Sequence, residues 1–315
     1  MSWYKFIPSD TFFLRGAEPL AAGMEYETPT IFPPAPSVLC GAMRTAVLSQ
    51  NDITIRQFKK GVSDLERYIG KFGASAPFSV TGVFLACGDT LYVPTPYNWM
   101  TESEKNSDEI AVVIPELLPA HAKKLGICGS YRSLYWGKHA KDLRSLGGSW
   151  VSLPALQQKK KKLKVDTDIL LNTDSFITQE ERTGIALDAN RSVKKSQLYT
   201  GRHLRLAEGW SLVWSTDRDT GLASSGVMTI GGEQRFGTYE EIDSVNLNKN
   251  TELNAYMCTT PVLATTEVGE KVIASGKLVY RGGWSLAKQF HKPMVGYYPA
   301  GTVFSSKIDK CCISL

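Results

Sequence analysis

The sequence predicts a mixed α+β protein in which strands outnumber helices. Apolar residues make up 43% of the 315-residue chain and charged residues 21%, which is the composition of an ordinary globular protein. Helical periodicity is found only between residues 37 and 69. From residue 183 onward, strand patterns separated by glycine turns dominate. This profile suits sheets of the ferredoxin-like or RNA-recognition type, although other α+β folds share it.

The length of the chain predicts two domains, because 315 residues exceed the size at which one hydrophobic core usually stops growing. We place the first domain at residues 1–170 and the second at residues 171–315. Within the first domain, residues 97–164 carry Pro, Gly and Trp punctuation and end in a lysine run, Lys159–Lys164. We expect this segment to be an insertion, in which the lysine run adds only supporting electrostatics.

The first elements are a strand and a helix. The apolar stretch Tyr4–Leu14 predicts a strand, and Pro8 within it indicates an edge position or a break. A Pro-rich loop then leads to a helix with Ser37 as its N-cap, and the apolar face of this helix consists of Val38, Met43, Ala46 and Val47.

A second helix and a hairpin follow. Apolar residues three and four positions apart predict one helix over Ile55–Ile69, and Gly70 and Gly73 end it. The next strands are FSVTGVFLAC and TLYV, which are separated by the turn pair Gly88-Asp89. The strand patterns of the second half are TGIAL, SQLYTGRHLRLA, WSLVWST, Ala255–Val262, Lys277–Tyr280 and TVFSSKI.

The stretch EERTGIALDANRSVKKSQLYTGRHLRLA is a candidate RNA-binding hairpin. Its basic residues surround Tyr199, and cations for phosphates beside an aromatic ring that stacks a base are what single-stranded RNA requires. Glu180, Glu181 and Asp188 favour a solvated hairpin to the same degree, because they neutralise the local charge. Both interpretations stay open on the sequence alone.

Two glycine-rich stretches are further candidates. MTIGGEQRFG and YRGGWSLAKQFHKPMVGYYPAGTVF contain paired glycines, which let a main chain approach a phosphate backbone closely but are also common in hairpin turns. Neither a P-loop nor a dinucleotide-binding glycine motif is present in the sequence. In the N-terminal part, Arg44 lies among small residues of IFPPAPSVLCGAMRTAV, where it either belongs to a core helix or pairs with a phosphate or carboxylate.

Several classes of site and location are disfavoured. The acidic clusters match no calcium loop or two-metal site, and the six cysteines include no C-x-x-C pair, so we expect no metal and no cofactor, and mostly reduced core thiols. No apolar run is long enough to span a membrane and the N-terminus lacks a signal core, so we expect a cytoplasmic protein without a membrane partner.

Taken in order, these stretches resemble one protein family. FIPSDTFFLRGAEPL followed by IFPPAPSVLCGAMRTAV is similar to the N-terminal signature of the Cmr subunit three family, a RAMP-superfamily component of type III-B CRISPR effector complexes. ERTGIALD with QLYTGRHLRL, then IGGEQRFG, then GGWSLAKQFHKPMVGYYPAGTVF, resemble its middle and C-terminal motifs, including a glycine-rich loop. The resemblance covers residues 1 to 50 and 180 to 305.

The resemblance implies two ferredoxin-like RAMP domains and a non-catalytic, RNA-binding subunit in antiviral defence. Such a subunit holds the 5′ repeat-derived handle of CRISPR RNA and docks on the large polymerase-like subunit and on a backbone RAMP subunit. The residues that we expect to contact RNA are Arg44, Arg182, Arg191, Lys194, Arg202, His203, Arg235, Arg281, Lys288 and Lys292. The glycine-rich loop is expected to contain Gly282, Gly283, Gly296 and Gly301.

Two other functions compete with this one. Some RAMP proteins cut repeat RNA without metal by acid–base chemistry, for which His203 near Tyr199, or His291, would be the candidates. The other alternative is a structural scaffold that contacts protein only.

Overall fold

The computed structural model describes residues 1–14, 27–28, 30–61, 63–102, 109–112, 143–158, 162–164, 169–248, 255–285 and 288–315. These residues form mostly antiparallel sheets with few helices, which confirms the predicted mixed α+β character.

The helices are α1 (Pro36–Gln50), α2 (Ile55–Lys60) and α3 (Ser63–Ile69), with short turns of helix at Leu153–Gln157 and Thr266–Gly269 and a 3₁₀ turn at Thr173–Ser175. The strands of the first half are β1 (Trp3–Pro8), β2 (Glu27–Thr28), β3 (Val80–Cys87), β4 (Thr90–Pro94), β5 (Trp99–Glu102), β6 (Glu109–Val112), β7 (Leu143–Ser145) and β8 (Trp150–Ser152). Those of the second half are β9 (Lys162–Lys164), β10 (Leu170–Leu171), β11 (Ile177–Leu187), β12 (Val193–Leu206), β13 (Trp210–Thr216), β14 (Ser225–Thr229), β15 (Phe236–Ile242), β16 (Tyr256–Cys258), β17 (Val262–Leu263), β18 (Val272–Ala274), β19 (Val279–Ser285), β20 (Phe290–Tyr298), β21 (Val303–Phe304) and β22 (Cys312–Ser314).

The chain forms two compact units, each assembled from separate segments. The first unit contains Met1–Gly88, Asp174–Val245 and Arg281–Val295, and the second contains Asp89–Thr173, Asn246–Tyr280 and Gly296–Leu315. Each unit takes residues from both sides of the predicted boundary at residue 170. The division into two ferredoxin-like domains, and the insertion at 97–164, stay predictions.

The main sheet of the first unit runs in the order β3-β13-β1-β15-β14, and the described pairs within it are antiparallel. Because β1 pairs on both sides, it is not the edge strand that Pro8 also allowed. Pro8 is instead the last residue of β1, which confirms the alternative prediction of a break. The pairing with β13 ends at Phe6, so the missing N–H of Pro8 costs no ladder hydrogen bond on that side.

The helix α1 packs against this sheet and fills its core. Leu39, Met43 and Val47 are fully buried, and the indole Nε1 of Trp214 on β13 lies 3.3 Å from the Met43 sulfur. The N-cap is Ala35 rather than the predicted Ser37, because Pro36 has the fixed φ that suits the first helical position.

The single helix predicted over Ile55–Ile69 is wrong, because the chain forms α2 and α3 there. Gly61 follows α2 with φ of +102°, a conformation that no helix contains and that side-chain-bearing residues rarely adopt. The predicted ending at Gly70 is confirmed, since Gly70 has φ of +71° directly after α3.

A long antiparallel hairpin, β11–β12, is the second sheet of the first unit. It pairs residues from Ile177 opposite Leu206 to Leu187 opposite Val193, and β2 adds in parallel beside Thr200 and Gly201. The predicted strand WSLVWST is β13, residue for residue.

The second unit is built from small sheets. Its strands run in the orders β10-β8-β4, β7-β5-β6-β9 and β18-β21-β16-β22, and β5 to β9 form from described parts of residues 97–164. Cys258, Cys311 and Cys312 are buried free thiols that pack with Val262 and Phe304, which agrees with the predicted core thiols. Cys128 and Lys159–Lys161 lie outside the described residues.

No helix among the described residues combines the length and the apolar character that crossing a membrane requires.

Candidate nucleic-acid interface

Asp10, two residues after β1, accepts hydrogen bonds from three arginines, which come from three different strands or turns. Arg182 of β11 donates to both of its carboxylate oxygens, over 3.1 and 3.3 Å. Arg205 of β12 donates to Oδ1 over 2.8 Å, and Arg235, next to β15, donates to Oδ2 over 2.6 Å. Bridging hydrogen bonds of this charge-assisted kind are short and strong, so Asp10 fixes the positions of all three guanidinium groups.

Two glutamates complete this cluster, which we call the Asp10 hub and define as Asp10, Glu180, Arg182, Arg205, Glu233 and Arg235. Glu180 bridges Arg182 and Arg205, and Glu233 pairs with Arg235 over 3.1 Å. Three carboxylates therefore face three guanidinium groups, and the hub is close to neutral. The hydrogen bond from Arg182, with that from Arg205, lowers the pKa of Asp10 to about 2. Arg205 and Arg182 likewise lower the pKa of Glu180.

His203 lies under the hub and is shielded from solvent. Its side chain is 1% exposed and its ring stacks on Phe13 with centroids 4.7 Å apart. A hydrogen bond of 3.0 Å joins Nδ1 to Thr11 Oγ1, and Nε2 lies 3.4 Å from Glu233. Burial lowers the pKa of His203. A histidine held in this way is a packing residue, and no substrate reaches it in this arrangement.

The glycine pair of MTIGGEQRFG packs closely against Phe13, the residue that stacks on His203. Gly231 has φ of +87°, and a Cβ on it would lie 2.5 Å from the Phe13 carbonyl oxygen. The N–H of Gly232 donates to the same oxygen over 2.7 Å. This close main-chain approach places the following turn, with Glu233 and Arg235, against Asp10.

Arg44, another predicted RNA contact, is engaged within the protein. From α1 its guanidinium donates to the carbonyl oxygens of Lys71 and Ala74, over 2.8 and 3.0 Å, and lies over the Phe58 ring. These bonds hold the turn that follows α3.

The other predicted basic residues of the β11–β12 hairpin occupy different surroundings. Arg202 is half-buried and lies 3.6 Å from Glu181. Arg191 and Lys194 are exposed at the hairpin end, where Arg191 has φ of +62° and the Asp188 carboxylate accepts the turn N–H groups of Asn190 and Ser192. The side chain of Tyr199 lies outside the described part of the structure.

The predicted glycine-rich loop is largely a second hairpin, β19–β20. Gly282 and Gly283 lie in β19, Gly296 lies in β20, and Gly301 lies in a turn of the second unit, where a Cβ would be 2.4 Å from the Thr95 carbonyl oxygen. Arg281 is half-buried on β19.

Towards its turn, this hairpin is strongly exposed. Lys288, His291 and Lys292 are exposed, and so are the nearby Phe290 and Met294, at 68% and 54%. Basic side chains from the turn and from β20 therefore flank an uncovered aromatic ring.

Neither Asp10 nor Arg205 was among the residues predicted to contact RNA. Asp10 stands in a quoted motif, FIPSDTFFLRG, but its partners lie 172 to 225 positions later in the chain. Only the fold reveals that it is the common acceptor of the arginines. Among the described residues, no group of three or more His, Cys, Asp and Glu side chains is arranged to hold a metal ion.

Comparisons with known proteins agree with the family resemblance. A family model described as "CRISPR-associated protein (Cas_Cmr3)" matches residues 4–266. No curated protein matches the sequence. The structure resembles a chain of "Cryo-EM structure of the Type III-B Cmr-beta bound to cognate target RNA and AMPPnP, state 1", with a TM-score of 0.56 and 16% identity, over 96% of this chain and 85% of that chain. A chain of "Cryo-EM structure of the Type III-B Cmr-beta bound to cognate target RNA" gives 0.55 and 17%, over 96% and 86%. At such identities the likeness shows a shared fold.

Proposed function

Because the chain belongs to the Cas_Cmr3 family of CRISPR-associated proteins, we propose that it is a non-catalytic, RNA-binding subunit of a type III CRISPR effector complex. In this role it holds the 5′ repeat-derived handle of the CRISPR RNA in the cytoplasm. It also docks the large polymerase-like subunit to a backbone RAMP subunit.

The observation that carries the RNA-binding part is the exposed end of the β19–β20 hairpin. Lys288 and Lys292 are free to neutralise phosphates, and Phe290 offers an uncovered ring on which a splayed base can stack. Gly283 has a φ of +152°, and a Cβ on it would lie 3.9 Å from Lys292 Cδ, so Gly283 leaves open space beside that lysine. Arg191 and Lys194 at the end of the β11–β12 hairpin supply a second exposed pair of cations.

The Asp10 hub contributes positioning rather than net positive charge. Arg182 and Arg235 have their charges matched by carboxylates, so they add little net attraction for a polyanion. Their role in the proposal is to fix the base of the β11–β12 hairpin, so that its basic end is presented in one orientation.

The strand order of the first unit supports a ferredoxin-like assignment for that unit. The helix α1 connects β1 to β3, two strands that run parallel with β13 between them, as in the β-α-β-β part of that fold. The last strand of the set, β15, lies on the other side of β1. Among the described residues, the connection from β13 to β15 contains β14 instead of a second helix.

Salt-dependent RNA retention tests the hairpin. We expect the complex assembled with Lys288→Ala plus Lys292→Ala to hold handle RNA more weakly, with the slope of log affinity against log salt reduced by about 1.4, since each phosphate contact to a single strand contributes about 0.7. Lys60→Ala plus Lys307→Ala removes the same charge from exposed positions elsewhere and is the matched control. Equal affinity and an equal slope in both variants would overturn the hairpin assignment.

An RNA-cleavage assay tests the non-catalytic part. Of the two candidate histidines, His203 is buried, whereas His291 is exposed on the β19–β20 hairpin. Purified protein incubated with repeat RNA in a chelator should leave the RNA intact. A specific cut that disappears in His291→Ala would make the protein a metal-independent endonuclease instead. RNA crosslinks confined to the partner subunits would favour the scaffold that contacts protein only.

A further inference from the structure

The strand β14 is an open edge of the main sheet. In the part of the chain that the structure describes, the sheet order ends at β14, and its other neighbour is β15. A sheet edge presents a row of main-chain N–H and C=O groups that can pair with another strand.

The register shows which residues of β14 direct their main-chain N–H and C=O groups towards the open edge. Glu241 N–H donates to Ser224 O and Ile230 N–H donates to Arg235 O, so the even-numbered residues of β14 pair with β15. In an antiparallel ladder the intervening residues direct their N–H and C=O groups the other way. Ser225, Val227 and Thr229 therefore point these groups away from the sheet, at the open edge.

The face beside this edge is apolar and uncovered. Ile7 on β1 and Val227 on β14 both lie opposite Thr238 on β15, so the three form one row across the sheet. Ile7, Val227 and the neighbouring Phe236 are 49%, 61% and 52% exposed. On the opposite face of the same strands Phe6, Met228 and Tyr239 are buried.

Three of the usual edge protections are missing from β14. Its sequence, SGVMT, contains no lysine and no proline, and its pairing with β15 has no bulge. Among the adjoining charges, Lys5 is paired with Glu240 over 3.7 Å and Arg235 is paired with Asp10 and Glu233, while Glu241 adds a negative charge, so a polyanion finds no excess of cations here. The surface therefore fits a neutral or basic polypeptide and does not fit RNA.

We propose that β14 is a docking edge for an extended segment of another protein subunit, which adds to the sheet as a further strand. Main-chain hydrogen bonds to Ser225, Val227 and Thr229 hold this segment. Its alternate apolar side chains pack beside Val227, the residue of the uncovered row that lies at this edge. The inference rests on the proposed assembly with other subunits and is independent of RNA binding.

Amide-resolved hydrogen exchange on the full chain tests the docking edge. The measurement compares the chain alone with the complex that it forms when it is co-expressed with the large subunit and the backbone subunit. We expect the amides of Ser225, Val227 and Thr229 to exchange at least tenfold more slowly in the complex. The amides of Gly226 and Met228 pair with β15 in both states and should change little. Unchanged exchange at the three edge amides would overturn the proposal.

Two substitutions at one position separate hydrogen bonding from side-chain contact. Val227→Pro removes an outward N–H and leaves the ladder with β15 intact, and it should weaken subunit binding at least tenfold in native mass spectrometry. Val227→Thr keeps the N–H and should bind within about threefold of the unchanged chain. If Val227→Pro binds equally well, or if the edge amides are protected by self-association of the chain alone, the proposed subunit segment is wrong. The Lys288→Ala plus Lys292→Ala variant should keep the slow exchange of the edge amides in the complex. A loss of RNA binding can therefore be distinguished from a loss of subunit docking at β14.

Discussion

Arg235 Nη1 donates a hydrogen bond to Asp10 Oδ2 over 2.6 Å, although the two residues are 225 positions apart in the chain. Arg182 of ERTGIALD and Arg205 of QLYTGRHLRL meet the same carboxylate. Three of the family-like motifs therefore each contribute an arginine to one acceptor, which lies in a fourth. Asp10 therefore links the start of the chain to the β11–β12 hairpin and to the turn before β15.

Replacing Asp10 by Asn should destabilise the protein. The change keeps the shape but removes the charge that faces three guanidinium groups, which are then left with only Glu180 and Glu233. Because Asp10 is 37% exposed, solvent screens the loss, and we expect about 1–2 kcal/mol. A urea melt at pH 7 measures the change, with Asp89→Asn at an exposed turn as the control. Equal midpoints for the two variants would show that the hub does not support the fold.

The stability supplied by Asp10 should depend on acid pH. Its pKa is lowered to about 2 in the folded chain, against about 3.9 when unfolded. The folded state therefore gains from the ionised carboxylate above pH about 4, and this gain is lost as the pH falls towards 2. The difference in unfolding free energy between the unchanged chain and Asp10→Asn should shrink from pH 5 to pH 2.5. A difference that stays constant over this range contradicts the assignment.

Local patterns in the sequence predicted the strands better than they predicted which charged residues pair with each other. WSLVWST became β13 because its apolar and β-branched residues are buried on both faces, and burial of this kind is visible in a single sequence. The split between α2 and α3 was missed because the periodicity across Gly61 is unbroken, although the backbone there is not helical. The pairing of Arg182 and Arg235 with Asp10 is not visible in the sequence, since Asp10 is remote from both of them. Charge pairing between distant segments is set by topology, which no local pattern contains.

Gly231→Ala should cost more stability than an ordinary substitution of a positive-φ glycine. Gly231 and Gly209 have similar φ values, +87° and +80°, so alanine suffers a similar backbone strain of about 1–2 kcal/mol at each. At Gly209 no atom lies within 4 Å of the new Cβ, whereas at Gly231 the Phe13 carbonyl oxygen would be 2.5 Å away. Thermal melts of the two variants should therefore place Gly231→Ala clearly lower. Equal melting temperatures would mean that the turn moves away from Phe13 without cost.

Arg44→Ala should affect the fold and leave RNA retention unchanged. The substitution removes two hydrogen bonds to the carbonyl oxygens of Lys71 and Ala74 and the contact with Phe58, for a loss of about 1–3 kcal/mol. Arg56→Ala, from an exposed position on α2, removes the same charge and should leave the melt unchanged. Handle-RNA retention by the assembled complex should be the same for both variants, because the Arg44 guanidinium is already used within the protein. If Arg44→Ala melts like the unchanged chain but loses RNA, the guanidinium leaves its carbonyl partners to bind phosphate, and Arg44 is an RNA contact after all.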